Sequence, residues 1–147
     1  MSMLTGGTWV LVADGEKALF ARNLTDAQNP NLQIIRHIEQ DNPPTREQGT
    51  GRPGRTDIGN GLRAAVEETD WHRLAKDRFA DELADLLYRM AHRGDFERIV
   101  IVAPPRILGE LRRVMHKEVT ERVVAELPKE LTGHPMHEIE ELLMRAV

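Results

Sequence analysis

The sequence predicts a single α/β domain over residues 1–147, with a mixed β-sheet, an N-terminal antiparallel meander and flanking helices. Three observations support this prediction. The chain has 147 residues, a length typical of one domain. Three strand-like segments separated by turn signals come first. From residue 70 onward, segments with helical periodicity alternate with continuous apolar runs.

The first forty residues predict the meander. The segment from Thr8 to Ala13 is apolar and rich in β-branched residues, and a turn signal, Asp14-Gly15-Glu16-Lys17, follows it. Residues 17–22 are the predicted hairpin partner. Residues 32–38 are predicted to form a third and more exposed strand, with Leu32, Ile34 and Ile38 on one face.

Residues 39–61 contain few apolar side chains and many glycines and prolines, which predicts a long loop. Structureless connections longer than about 12–15 residues are uncommon inside compact domains and are usually either functional or disordered. This loop is therefore the most informative segment of the sequence.

The remaining chain predicts alternating helices and strands. A helix is expected from Asp70, as N-cap, to Arg93, with a buried stripe of apolar residues, and Gly94 ends it. A strand is expected over 96–103, a helix from Pro104-Pro105 to about Lys117, a strand over 119–127 and a terminal helix from Pro135. The inward positions of the helices are Phe79, Leu83, Leu86, Leu87 and Met90, then Ile107, Leu108, Leu111 and Met115, then Ile139, Leu142, Leu143 and Ala146.

The composition excludes several classes of protein. Twenty Lys and Arg residues against 24 Asp and Glu give a net charge of -4, which excludes a strongly basic nucleic-acid module, so any contact with a polyanion must be local. The absence of Cys excludes disulfides, iron–sulfur ligation and thiol catalysis. The longest apolar run near the N-terminus, Trp9 to Ala13, is too short for a signal peptide or a membrane span. A cytoplasmic protein without membrane contact is expected.

Positive charge concentrates in residues 46–63, which we call the Arg/Gly segment. Four arginines and two acids give it a formal charge of +2 and leave -6 on the rest of the chain. Because glycine has no side chain, a phosphate can approach its backbone N–H group closely. An arginine guanidinium can donate two hydrogen bonds to two oxygens of one phosphate. The candidate residues for binding RNA or phosphate are Arg46, Gly49, Gly51, Arg52, Gly54, Arg55, Arg63 and Arg106. A solvated surface loop, kept soluble by its arginines, is an equally open interpretation.

Arg106 is a candidate for a different reason. It follows Pro104-Pro105 where a strand is expected to pass into a helix, the edge at which open α/β sheets bind ligands. The favoured interpretation is that these prolines only fix the turn.

No complete catalytic or metal-binding motif is present. The segment lacks the Gly-Lys-Ser/Thr of a P-loop, and the only serine is Ser2. His134 and His137 do not form a His-Glu-x-x-His pattern, and Asp14 is expected to stabilise a turn. Trp71 and His72 are interpreted as the hydrophobic entrance of a helix and an exposed side chain. No catalytic residue, metal or cofactor is predicted.

Four segments resemble the bacterial host-attachment protein family over nearly the whole chain. They are Trp9–Gly15, Gly51–Arg55, Ile101–Gly109 with the following Leu111-Arg112, and Leu127–Thr132. Glu130 stands where the family usually has an aspartate. The family name describes a phenotype, attachment of bacteria to host cells, and not a chemistry.

This family is similar in turn to the central domain of archaeal and eukaryotic class-1 release factors, which has an RNase H-like fold. Its glycine-rich loop presents Gly-Gly-Gln to peptidyl-tRNA; here Gln48-Gly49-Thr50-Gly51 stands instead, and no Gly-Gly-Gln occurs. The resemblance implies an RNA- or ribosome-associated binding module with tRNA or the ribosome as partner. A tRNA ester hydrolase that uses Gln48, and a protein-interaction module that affects attachment indirectly, remain open, as does a homo-oligomer.

Overall fold

The computed structural model describes the backbone of residues 4–40 and 61–145 and the side chains of residues 4–40 and 73–145. The predicted loop over 39–61 therefore lies outside the described residues except at its ends. Within the described ranges the chain forms these elements in order: β1 (Trp9–Ala13), β2 (Lys17–Asn23), β3 (Leu32–Glu39), α1 (Gly61–Arg93), β4 (Ile99–Val102), α2 (Pro105–Val114), α3 (Lys117–Thr120), β5 (Val123–Leu127) and α4 (Met136–Arg145).

The strands form one mixed sheet in the order β3-β2-β1-β4-β5. The pairs β1–β2 and β2–β3 are antiparallel, which is the predicted meander. The pairs β1–β4 and β4–β5 are parallel, because the connections that precede β4 and β5 contain helices. The predicted fold class, an α/β fold with a mixed sheet of this kind, is confirmed.

Helices cover both faces of the sheet, and alternate residues of each central strand point into two separate cores. On one face, α1 and α2 pack on Leu11, Phe20 and Ile101. On the other face, Ile139 and Leu143 of α4 pack on the opposite side of the same strands. Burial of a Leu, Ile or Phe side chain of this kind stabilises a fold by roughly 1.5–3 kcal/mol. The flanking helices predicted from the sequence are thus present.

The first helix is longer than predicted. It begins at Gly61, so Asp70 lies inside it and is not its N-cap. The residues before Asp70 include Leu, Arg, Ala and Glu, all strong helix formers, and this propensity extends the helix through the predicted loop boundary. The 33 residues of α1 span about 50 Å. The predicted stripe from Phe79 to Met90 is buried as expected.

A bulge in β3 makes one prediction about its faces wrong. Pairing with β2 shifts from Phe20↔Arg36 to Ala21↔Ile34, so β3 has one extra residue at this point. Leu32 is therefore buried in the α4 core, whereas Ile38 packs against the core on the opposite face. Ile34 is 52% exposed, because no described helix covers this part of the edge strand.

Element boundaries in the second half also differ from the prediction. The helix that was expected to reach Lys117 ends at Val114, because Met115 and His116 adopt extended backbone, and His116 then caps the separate helix α3. Val119 belongs to α3, so the last strand starts at Val123. Of the predicted inward positions, Met115 and Leu142 are half-buried, and Ala146 lies outside the described residues.

No helix within residues 4–40 and 61–145 is long and apolar enough to cross a membrane.

Candidate functional site

The carboxyl ends of the strands β1, β3, β4 and β5 lie at the same edge of the sheet, which we call the carboxyl edge. The chain leaves β3 at this edge, where the Gln40 N–H donates to the Glu16 carbonyl at 2.6 Å. The Gln40 side chain donates to the Ala75 carbonyl of α1 at 2.8 Å. Gln40, the last described residue before the Arg/Gly segment, is thus hydrogen-bonded to both the β1–β2 turn and α1.

Helix α1 continues past this edge. Ala75 is the first of its described side chains to be buried, and 14 helical residues, about 21 Å of helix, precede it. Lys76 lies across the turn at Gly15, where an added Cβ would stand 2.5 Å from the Lys76 Cγ. Glycine at position 15 therefore makes room for this side chain.

Asp14 ties the turn after β1 to the segment after β5. Its Oδ1 accepts from the backbone N–H groups of Glu16 and Lys17 at 2.7 and 2.8 Å, which agrees with the predicted turn role. Its Oδ2 accepts from the Thr132 hydroxyl at 2.6 Å. Two segments that carry the family resemblance, 9–15 and 127–132, are joined by this bond. This bond could not be predicted from the sequence, because 118 residues separate the partners.

Arg106 begins α2 at the same edge and is already engaged. Its Nη2 donates to both carboxylate oxygens of Asp77 on α1, at 3.2 and 3.3 Å. Pro105 occupies the first turn, as the favoured turn interpretation expects. Arg106 is half-exposed, but an anion must compete with Asp77 for it. Binding of a phosphate by Arg106 would therefore require its hydrogen bonds to Asp77 to break.

A second set of charges joins α1 to α2 next to this pair. Arg113 binds Glu110 through two hydrogen bonds of 2.6 and 3.1 Å, and this interaction holds the pKa of Glu110 below its ordinary value. Asp81 on α1 has a raised pKa, first because of desolvation and then because of its hydrogen bond and like charge with Glu110. Asp81 therefore binds its proton more tightly in the folded protein.

Four cationic side chains near the carboxyl edge have no carboxylate within 4 Å in the described part of the chain. Two are on α1, one begins β2 and one follows β5: Arg73, Lys76, Lys17 and Lys129. No described carboxylate neutralises these side chains, so they are available to an incoming anion. These positions could not be predicted as a group from the sequence, because no local pattern connects them.

Most of the predicted site lies outside the described residues. This applies to Arg46, Gly49, Gly51, Arg52, Gly54 and Arg55, and to Gln48. Arg63 falls within α1 and not in a loop, and its side chain is outside the description, as are those of Trp71 and His72.

The histidines near α4 do not form a metal site with other described side chains. His134 Nδ1 lies 3.0 Å from Glu138 Oε2, one helical turn away. Across residues 4–40 and 73–145, no three His, Asp or Glu side chains are grouped so that they could hold a metal ion.

Comparison with known proteins identifies a group of translation-related domains. A family model described as bacterial archaeo-eukaryotic release factor family 12 matches residues 7–143, and the chain belongs to this family. The relation to release factors that the sequence motifs implied is therefore confirmed. No curated protein matches the chain.

One solved structure that is similar to the chain is that of an archaeal translation termination factor, aRF1. The two share 9% sequence identity with a TM-score of 0.45. The match covers 95% of this chain and 37% of the archaeal chain, so the present chain spans little more than a third of that protein.

We expect that Thr132→Val lowers the free energy of unfolding by about 1 kcal/mol, because it removes the hydroxyl donor to Asp14 and keeps the side-chain shape. Urea denaturation measures this. The control is Thr120→Val, whose hydroxyl bonds only a carbonyl three residues back in α3. Equal stabilities of the two variants would contradict a structural role for the Asp14–Thr132 bond.

Asp81→Asn is expected to raise Tm at pH 7 by about 1–2 °C, because it removes the negative charge beside Glu110. Since the pKa of Asp81 is raised in the folded state, wild-type stability recovers as the pH falls through that pKa, and the advantage of the variant disappears. Thermal scans from pH 7 to pH 4 check this. Asp85→Asn, which breaks the Arg89 pair one turn further along, should give no gain.

Proposed function

We propose that this protein is a cytoplasmic RNA-binding module that acts in translation and contacts tRNA or ribosomal RNA through its Arg/Gly segment. The observation that carries the proposal is the family match, which runs through residues 7–143 and so includes the whole segment. Supporting it, Gln40, the last described residue before the segment, lies at the carboxyl edge, where α/β sheets commonly bind ligands.

The charges of the chain support the same site. The net charge of -4 disfavours polyanions over most of the surface, whereas the segment carries +2. Lys76 and Lys129 add cations at the adjoining edge that have no acidic partner among the described residues. Arginine and open glycine backbone suit phosphate oxygens, and 4% aromatic content disfavours recognition by base stacking. Binding should therefore be mainly electrostatic.

The double variant Arg52→Ala/Arg55→Ala should weaken tRNA binding and reduce the slope of log K against log salt by up to about 2, because each lost phosphate contact releases fewer counterions. Fluorescence anisotropy with labelled tRNA over a salt series measures both quantities.

The matched control is Arg36→Ala/Arg89→Ala, which removes the same charge from β3 and from the exposed side of α1. This control should keep the wild-type slope. Equal losses in the two double variants, or no tRNA binding at low salt, would exclude the Arg/Gly segment as the site.

The second candidate is hydrolysis of the ester bond in peptidyl- or aminoacyl-tRNA, and the observation that favours it is Gln48 beside Gly49 in a family named after release factors. A deacylation assay should then show turnover that Gln48→Ala lowers at least about tenfold, a loss of transition-state stabilisation. The control is Gln28→Ala, at an exposed position 20 residues before Gln48 in the sequence. Equal rates in the two variants would leave Gln48 without a catalytic role.

A role in host attachment, if the resemblance is carried over, would be indirect and would act through partners. Co-sedimentation with ribosomes, and capture of partners from lysate with and without ribonuclease, separate the RNA-binding module from a protein-interaction module. Partners that persist after ribonuclease treatment, without ribosome association, would favour the latter.

A further inference from the structure

A cleft of about 280 Å³ lies at the edge of the sheet opposite the carboxyl edge. The residues around it come from the start of β1, the end of β2 and the connection from α1 to β4. Trp9 and Arg22 are directly paired across β1 and β2, so their side chains share a face of the sheet. Arg98, just before β4, lines the same cleft.

The charges in this cleft leave two arginines available. Neither Arg22 nor Arg98 has a carboxylate within 4 Å in the part of the chain that the structure describes. Asp95 also lines the cleft, but Arg93 binds its carboxylate at 2.7 and 3.2 Å. Of the two acids that line the cleft, only Glu97 has no arginine bound to it among the described residues, so two arginines stand against one acid and the cleft favours an anion.

The walls of the cleft leave its interior open. Gly7 and Gly94 have positive φ angles of 82° and 79°, and a Cβ added at either would meet no atom within 4 Å. Residues other than glycine rarely adopt positive φ angles. With glycine at both positions, no side chain fills the space beside them, and a ligand can occupy it. Trp9 forms a rigid apolar floor, in contact with Phe96 at a centroid distance of 5.5 Å.

We propose that this cleft binds a phosphomonoester, with Arg22 and Arg98 on its oxygens. Guanidinium groups make charge-assisted hydrogen bonds to phosphate, and such bonds are about twice as strong as neutral ones. The volume exceeds that of a phosphate group, so an organic group can lie on the Trp9 floor while Glu97 accepts from its hydroxyl or amino donors.

This site is independent of the proposed RNA-binding segment. The cleft lies at the amino ends of β1 and β4, whereas Gln40, the last described residue before the segment, lies near their carboxyl ends, and β1 alone separates the two edges by about 13 Å. Loss of one site therefore leaves the other intact, and the two proposals fail separately.

The test uses tryptophan fluorescence, because the chain has two tryptophans and one of them is Trp9. In the full-length variant Trp71→Phe, Trp9 is the only reporter. AMP should change its emission with a dissociation constant of about 1 mM or tighter, and calorimetry on the wild-type protein should give the same constant. Arg22→Ala/Arg98→Ala should weaken binding roughly tenfold or more, whereas Arg36→Ala/Arg89→Ala should not.

Three ligands identify the source of the phosphate. If AMP binds more tightly than inorganic phosphate, the ligand is an organic phosphate. If AMP and inorganic phosphate bind with equal affinity, the ligand is free phosphate. Either result supports the site. Adenosine that binds as tightly as AMP would overturn the proposal. So would the absence of binding of AMP and phosphate by both methods, or equal affinity in the two double arginine variants.

Discussion

All five residues of β1 are buried, because α1 and α2 cover one face of this strand and α4 covers the other. Its antiparallel pairing with β2 and parallel pairing with β4 orient every other strand. Because β1 and β4 are parallel, the two edges of the sheet differ. At the carboxyl edge β4 ends and α2 begins, whereas the connection from α1 to β4 lies at the opposite edge. Both proposed sites depend on this single constraint.

The elements that could be predicted from the sequence are those whose pattern is local. Continuous apolar runs identified β1 and β4, and the stripe from Phe79 to Met90 identified the packed part of α1. The prediction of Asp70 as N-cap was wrong because a good capping residue also fits inside a helix when the residues before it are helix formers. The bulge that moves Ile38 to the other face depends on pairing with β2, which no single-strand pattern contains.

The site was less predictable than the fold for a related reason. Charge counting located the Arg/Gly segment, and the strand-to-helix position singled out Arg106, but neither pattern shows that Asp77, 29 positions earlier in the chain, binds this arginine. Arg22 and Arg98 lie 76 positions apart in the sequence, so no local pattern connects them. Only the fold places Arg22 and Arg98 in one cleft beside Trp9, and only the fold shows that Arg93 binds the carboxylate of Asp95. Pairing in three dimensions, not composition, decides which cations are available.

The family relation and the missing Gly-Gly-Gln are compatible, because a fold and the chemistry placed on it are separable. The Asp14–Thr132 bond and the Gln40 contacts hold the carboxyl edge together through side chains outside the Arg/Gly segment. These contacts do not depend on the residues of the segment. The proposed RNA binding does not require Gly-Gly-Gln, because arginines and glycine backbone supply electrostatic contact with phosphates without a catalytic glutamine.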